Sequence, residues 1–253
     1  MAPKTTLIFG GSGKVAKHLT RQLTSPPNNH TVYSIIRKES QKSDIESLGG
    51  KPILQSIEDS SVSDMLATMT STNPSAVVWA AGAGGQGGPE RTVAVDRDGA
   101  IRAMDAAAQA GVKRFIMVSA VDIRDREGKP EPEWYDDDDR KRSEGMWGAI
   151  GRYCAAKLAA DRELVVGNEG RGVEWTIVRP TSLGEGQGTG RVEAGKVSGV
   201  SRGDADLQRL CLATLERLLA GLAIPRGGFG ALLLTVSRST SLKSSPGKTS
   251  QRS

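Results

Sequence analysis

The apolar positions of this chain fall into short continuous runs, separated by longer stretches with helical spacing. Thr5-Thr6-Leu7-Ile8-Phe9 reads as a buried strand. Val15, Ala16, Leu19 and Leu23 then recur at a helical period, which Pro26-Pro27 bring to an end. Further strands are predicted over His30 to Arg37, Pro52 to Ser56 (after a helix closed by Gly49-Gly50), Ser75 to Ala81, Lys113 to Ala120 and Val173 to Pro180. Between them lie a short helix around Met65 to Met69, a helix over Ala94 to Ala110 capped by Gly111, and a helix over Gly151 to Val166. Leu207 to Leu222 carries a leucine stripe at helical spacing, and Ala231 to Ser237 reads as a last strand.

Uniformly apolar strands alternating with helices predict an α/β fold with a mostly parallel sheet covered on both faces. Right-handed crossovers make that sheet doubly wound, of the Rossmann type, with ligands at the carboxyl ends of the strands near the switch point. A length of 253 residues suits one large domain rather than two. The expected organisation is a dinucleotide-binding domain over 1–237, with a polar, irregular loop at 122–148 long enough to act as a lid or substrate loop, and a basic, disordered tail over 238–253.

The net charge of +5 does not change this picture. Arg238, Lys243, Lys248 and Arg252 supply +4 of it in a stretch without acidic residues, so the body is nearly neutral and no basic face for nucleic acid is expected. No apolar run is long enough for a membrane span, and Met1-Ala2-Pro3-Lys4 leads into the first strand without the apolar core of a signal peptide. Cys154 and Cys211 lie in helical patterns with no metal-ligand spacing. The expectation is a cytoplasmic protein with buried free thiols, no metal and a small-molecule partner.

The clearest chemical signal is the turn after the first strand. Gly10-Gly11-Ser12-Gly13-Lys14-Val15-Ala16 leaves a strand and opens a helix. Gly10 permits a tight turn, Gly13 lets the backbone approach a pyrophosphate at the helix N-terminus, and Ala16 allows close packing of helix on strand. A Walker A loop is excluded, because Ile8 stands where its first glycine belongs and Val15 where it needs Ser or Thr. The second strand ends on Arg37-Lys38, with no acidic residue before Glu39. NAD sites place a carboxylate there for the ribose 2′-hydroxyl, whereas an Arg accommodates a 2′-phosphate, so NADP(H) is favoured over NAD(H). Lys14 adds to that preference.

Together, LIFGGSGKVAKHL, VVWAAGAGGQGG, VDRDGAIRAMDAAAQAGVKRFIMVSA, YCAAKLAADREL and VEWTIVRPTSLGEG resemble the atypical short-chain dehydrogenase/reductases, in particular their NmrA-like, NAD(P)H-binding branch. The resemblance implies a single doubly wound domain with a bound dinucleotide. It implies that Ala81, Gly82, Ala83 and Gly84 line the cofactor. It implies either a reductase of flavins, quinones or other unsaturated or carbonyl compounds, or an NADP(H)-binding redox sensor without turnover. Three departures stand out. Gln55-Ser56-Ile57-Glu58-Asp59 replaces the Gly-Asp-Leu-x-Asp of many relatives, so Ser56 takes the place of the adenine-contacting Asp. The Asn of the ordinary catalytic set has no clear equivalent, and the chain beyond Ser237 does not look like the usual C-terminal helix.

Tyr153-Cys154-Ala155-Ala156-Lys157 is a Y-x-x-x-K element whose i,i+4 spacing puts both side chains on one helix face. An ammonium about 5 Å away would draw the phenol's pKa down from near 10 by roughly 2, readying Tyr153 to exchange a proton with a substrate oxygen. By the family pattern Lys157 also holds the nicotinamide ribose. Ser119, at the carboxyl end of the fifth strand, is placed to hydrogen-bond a substrate carbonyl. Arg179-Pro180 ends the sixth strand, and Pro180 would stiffen the wall of the nicotinamide site. In the 122–148 loop, Trp134, Tyr135 and Trp147 could stack on a flat substrate or pin the loop down. Asp136 to Asp139 is expected to pair with Arg140-Lys141-Arg142 rather than bind a cation. His18 and His30 are poorly placed for catalysis. These residues predict an NADP(H)-dependent oxidoreductase of a small aromatic or carbonyl compound, and the resemblance implies quinones and flavins among its candidate substrates.

Overall fold

The computed structural model describes residues 4–180, except 86, 124, 128, 129 and 132–134, together with a strand over 235–238. The elements are β1 (Thr5–Phe9), α1 (Lys14–Thr24), β2 (Thr31–Ile36), α2 (Lys42–Ser47), β3 (Lys51–Leu54), α3 (Val62–Thr72), β4 (Ala76–Trp79), α4 (Gly88–Thr92), α5 (Ala100–Gln109), β5 (Arg114–Val118), α6 (Asp137–Val165), β6 (Glu174–Arg179) and β7 (Thr235–Arg238). They form one sheet in the order β3-β2-β1-β4-β5-β6-β7. Its first six strands are parallel, and β7 runs antiparallel to β6. The chain winds outward from β1 to β3, then crosses back to β4 and continues the other way. The switch point therefore lies between the carboxyl ends of β1 and β4, where an open parallel sheet binds its ligand.

Continuous apolar strands arise because both sheet faces are covered. Leu7 and Phe9 of β1 point into a cluster with Val77, Trp79, Phe115 and Met117 on the α3–α5–α6 side. Ile8 points the other way, with Leu19, Leu23, Val32, Val78 and Ile116 under α1. Each of these side chains is essentially fully buried. Burial of that kind is worth about 1.5–3 kcal/mol per side chain, so the central strands form the rigid base on which the site stands.

Three differences from the sequence expectation bear on the site. The helix predicted over Ala94 to Ala110 starts earlier: α4 runs through a π-helical segment, Val93–Gly99, into α5. The supposedly irregular 122–148 segment is helical from Asp137 on, because Asp136 caps α6 by accepting from the Asp139 N–H at 2.8 Å and three acidic residues occupy its first turn. The acidic run pairs with the adjacent basic residues, Asp137 with Arg140 and Asp139 with Arg142, each at 2.6 Å. The predicted helix start near Gly151 corresponds instead to a kink in α6 at Ile150 (φ −132°, ψ 34°). The last strand lies at Thr235–Arg238. The leucine stripe at Leu207 to Leu222, Cys211 and the tail beyond Arg238 fall outside the described residues.

Candidate functional site

The glycine turn is fixed by close approach. Gly10 has φ +77°, and a Cβ there would lie 2.6 Å from the Ala81 Cα, so the turn admits no side chain where β1 meets the end of β4. The Gly11 N–H donates to the Ile35 carbonyl at 2.8 Å, and its Cβ would meet Ser34 at 2.5 Å. Gly13 donates to the Gly10 carbonyl at 2.9 Å and forms the N-cap of α1, which has no side-chain cap and no acidic residue in its first turn. A helix start without a side-chain cap or an acidic first turn, with the helix dipole behind it, suits an anion. Ala16 is fully buried and seats α1 on the sheet. Lys14 is exposed and Val15 half-buried at the mouth of the turn.

A cavity of about 250 Å³ runs from this turn across the carboxyl ends of β1 to β4. Gly10, Ser12 and Gly13 line one end and Ala81, Gly82, Ala83 and Gly84 its inner wall. Arg37 and Ser56 lie toward its far end, at the tips of β2 and β3. Here the residues present fit a dinucleotide: a cradle that any Cβ would fill, uncapped helix N–H groups, and an elongated cavity leading away from them. Lys38 is exposed, and its N–H, like that of Arg37, donates to the Gln41 Oε1 at 3.2 Å. Glu58 and Arg91 also line the cavity, and the sequence reading did not single them out as site residues.

The chemical side of the cleft is built on α6. Tyr153, Lys157 and Asp161 follow one another at i, i+4 and i+8, hence on one face. Lys157 is 3% exposed, and its Nζ forms an ion pair with the Asp96 Oδ1 at 3.0 Å, with the Ala81 and Val118 carbonyls at 3.4 Å. Asp96 comes from the π-helical segment, is completely buried, and also accepts from the Ala83 N–H at 2.9 Å. Burial by itself would lower the Lys157 pKa. The Asp96 carboxylate, then Tyr153 and Asp161, outweigh it, and the pKa is raised.

This arrangement corrects the expected activation of Tyr153. Lys157 stands 5.8 Å from the centre of the Tyr153 ring and does pull its pKa down, but burial of the phenol is the larger effect and Asp96 adds to it. The Tyr153 pKa is raised, so the phenol holds its proton at neutral pH. The lysine's three donors already face Asp96 and two carbonyls within the protein, rather than standing open to a ribose.

Ser119 and Arg179 meet at the third residue of the stripe. The Ser119 hydroxyl donates to the Asp161 Oδ2 at 3.1 Å, and the same oxygen accepts from Arg179 at 3.0 Å (Nε) and 2.8 Å (Nη2). The single Ser119 proton expected to reach a substrate carbonyl is thus committed to Asp161. Burial raises the Asp161 pKa, opposed by Arg179 and Ser119. Pro180 is buried and its carbonyl accepts from the Val121 N–H at 2.9 Å, tying the end of β6 to the loop after β5. Asp96 had a signal in the sequence: it lies at helical spacing from Gly99, Ala100 and Ala103, on a face that the structure buries.

A second, open cleft of about 480 Å³ adjoins Tyr153, between the glycine-rich loop and the kink of α6. Trp147, Ile150 and Tyr153 form one wall, Pro89 and Thr92 the other. The Trp147 indole donates to the Asp122 carbonyl at 3.3 Å, Arg126 lies 5.5 Å from the centre of the same indole, and the Tyr135 hydroxyl donates to the Asp122 carboxylate. Trp147 thus ties the loop to α6 at Asp122 while lining the cleft, and Tyr135 closes the loop on the same residue. Trp134 falls outside the described residues.

Fold and turn together define a Rossmann-type dinucleotide-binding protein. A family model described as NAD(P)H-binding matches residues 10–217, and the chain belongs to that family. It is 41% identical over 192 residues to the UPF0659 protein C216.03 of Schizosaccharomyces pombe, covering 76% of each chain. It is 34% identical over 189 residues to the uncharacterized sugar epimerase YhfK of Bacillus subtilis, covering 75% of this chain and 77% of that one. Among solved structures it is similar to a putative NAD-dependent epimerase/dehydratase from Bacillus halodurans, with a TM-score of 0.68, 25% identity, and coverage of 93% of this chain and 94% of that one. The resemblance to atypical short-chain dehydrogenase/reductases holds, and the family is one of NAD(P)H-binding oxidoreductases and epimerases. Among the described residues no helix is long and apolar enough to cross a membrane.

Proposed function

We propose that this chain is a cytoplasmic NADP(H)-dependent oxidoreductase that reduces a small carbonyl, quinone, flavin or other aromatic compound, with Tyr153 as proton donor. The observation that carries the reading is the adjacency of two built features: the glycine-turn cavity, and a half-buried Tyr153 facing an open cleft beside the inner wall of that cavity. The proposed cofactor contacts are Gly10 to Val15, Arg37 and Lys38 at one end and Ala81 to Ala83 and Pro180 toward the other. A bound nicotinamide dinucleotide supplies the reducing equivalent. The α1 N-terminus and the glycine turn bind and orient it. Tyr153 gives its hydroxyl proton to the substrate oxygen as that oxygen gains charge. Its pKa is raised, so at neutral pH the phenol carries the proton that it would give to the substrate oxygen. Lys157 acts on Tyr153 as a fixed positive charge, held in place by Asp96. Ser119 acts as a positioning residue, keeping Asp161 and Arg179 together under the same helix face.

NADPH oxidation, followed by absorbance across a panel of aldehydes, ketones, quinones and flavins, tests this. The expected result is turnover of at least one class, reduced in Tyr153→Phe by about 100-fold or more, with NADPH affinity within about twofold of the parent. Equal turnover in Tyr153→Phe would remove the tyrosine mechanism. The commitment of Ser119 and Lys157 to buried carboxylates supports a second reading, an NADP(H)-binding redox sensor without turnover. Tight NADPH binding with no oxidation on the whole panel is its signature.

A further inference from the structure

The outer lip of the cofactor cavity carries three charged side chains from three separate elements. Arg37 follows β2 and is 45% exposed. Arg91 sits on α4, at the end of the glycine-rich loop, with its side chain only 16% exposed. Glu58 lies between them, on the segment after β3, and all three line the cavity. The Arg91 Nε donates to the Glu58 Oε1 at 2.7 Å, and its Nη1 donates to the Ala83 carbonyl on the inner wall at 2.8 Å. The Arg37 Nη1 stands 3.9 Å from the same Glu58 oxygen. One carboxylate oxygen thus serves two guanidiniums that arrive from opposite sides of the cavity mouth.

Resting on the reading that this cavity binds a nicotinamide dinucleotide, we propose that Glu58 is the selectivity gate of the site: an internal counter-ion held by Arg37 and Arg91, which the 2′-phosphate of NADP(H) must displace to reach them. The charges support this. The three groups sum to +1, a modest attraction for a phosphate dianion. Without Glu58 the two guanidiniums would present +2 at a spot already shaped to hold an anionic oxygen, and guanidiniums suit phosphate as well as carboxylate. A ribose with a free 2′-hydroxyl leaves the triad intact and gains nothing from the arginines. Selectivity is then set by a competition inside the protein, and Arg37 alone does not determine it. Arg91 becomes a specificity residue although it is far from Arg37 in sequence. Its bond to Ala83 ties the outer lip to the inner wall.

The test uses the full chain and four probes, NADPH, NADH, adenosine 2′,5′-bisphosphate and AMP, with dissociation constants measured by titration at low and at physiological salt. Glu58→Gln keeps the size of the side chain and removes its charge. It is expected to tighten NADPH and the bisphosphate by roughly tenfold, the scale of one like-charge contact near a surface, while NADH and AMP move by less than about twofold. Arg91→Gln is expected to weaken only the two 2′-phosphorylated probes, and Glu58→Asp to keep the parent ratio. The gain in Glu58→Gln should shrink as salt rises. An unchanged NADPH/NADH ratio in Glu58→Gln overturns the proposal. So does a loss of NADH binding with NADPH unaffected, which would make Glu58 a direct partner of the ribose 2′-hydroxyl. If the parent chain binds none of the four probes, the dinucleotide reading itself fails. If it binds them and the ratio does not respond to position 58, only the gate fails.

Discussion

The two sides of the cleft are built from different materials. On the β1–β3 side the work is done largely by backbone: a turn with no room for a Cβ at Gly10 or Gly11, a helix start without a side-chain cap, and a cavity whose inner wall is main chain and alanine. On the β4–β6 side it is done by side chains. Two ion pairs with buried carboxylates, Lys157 with Asp96 and Arg179 with Asp161, sit along one face of α6 beside Tyr153 and Ser119. The first side tolerates almost no change of shape at its turn, and its charges gather at the outer lip, on Arg37, Glu58 and Arg91. The second depends on charge balance, because a buried ion left without its partner is strongly destabilising.

The contrast can be broken at its most rigid point. Gly10→Val forces a β-branched residue into φ +77° and a Cβ to 2.6 Å from the Ala81 Cα. Backbone strain of about 1–3 kcal/mol and a similar cost of overpacking are expected. NADPH affinity should fall by more than about 100-fold, equivalent to roughly 2.7 kcal/mol, with a lower urea midpoint. Unchanged affinity would mean that the turn does not hold the ligand.

Asp96→Asn probes the other side. It leaves Lys157 buried without its counter-ion, and a stability loss of about 3 kcal/mol is expected from urea unfolding. The pH profile separates a positioning role from a merely structural one. Tyr153 must be protonated to act as an acid, so reduction is lost as pH rises through its pKa. Asp96 raises that pKa and Lys157 lowers it, so removing the Asp96 charge should move the alkaline loss of kcat/KM to lower pH. A profile that stays in place would leave Asp96 with no influence on the phenol.

The smallest effect is expected at Ser119→Ala. Asp161 keeps both Arg179 contacts and loses one hydroxyl donor, worth about 1 kcal/mol. Turnover should change by no more than a few-fold. A loss of the size expected for Tyr153→Phe would restore Ser119 as a residue acting on the substrate.

How legible each side was in the sequence follows from the same contrast. The glycine turn could be read because its signal is local: Gly10, Gly13 and Ala16 fall within seven residues between a strand and a helix, although the atom that a Cβ at Gly10 would meet belongs to Ala81. The mostly parallel sheet could be read because strands buried on both faces are continuous apolar runs, as at Leu7 to Phe9 and Val77 to Trp79. The ion-pair network could not. The spacing of Asp96 from Gly99, Ala100 and Ala103 hints that it is buried, but Asp96 and Lys157 are 61 positions apart (157 − 96), and nothing in the chain between them reports the pairing. The expected lowering of the Tyr153 pKa failed first because the fold buries the phenol, and then because Asp96, from another element, adds to that effect. Y-x-x-x-K reports the lysine alone. Asp136 to Asp139 shows the opposite case. Acidic residues at a helix start are a local signal, and the structure uses them as a cap and as i,i+3 partners where the pattern had predicted loop.

The most direct measurement is thermal unfolding of the full chain against increasing NADPH. A cavity that holds the dinucleotide predicts a midpoint that climbs with ligand, by the equivalent of about 2.7 kcal/mol at 100 times the dissociation constant, and no climb in Gly10→Val. A midpoint that stays flat in the parent chain at every NADPH concentration, while the protein unfolds cooperatively, would contradict the assignment of the Gly10–Gly13 cavity as a dinucleotide site.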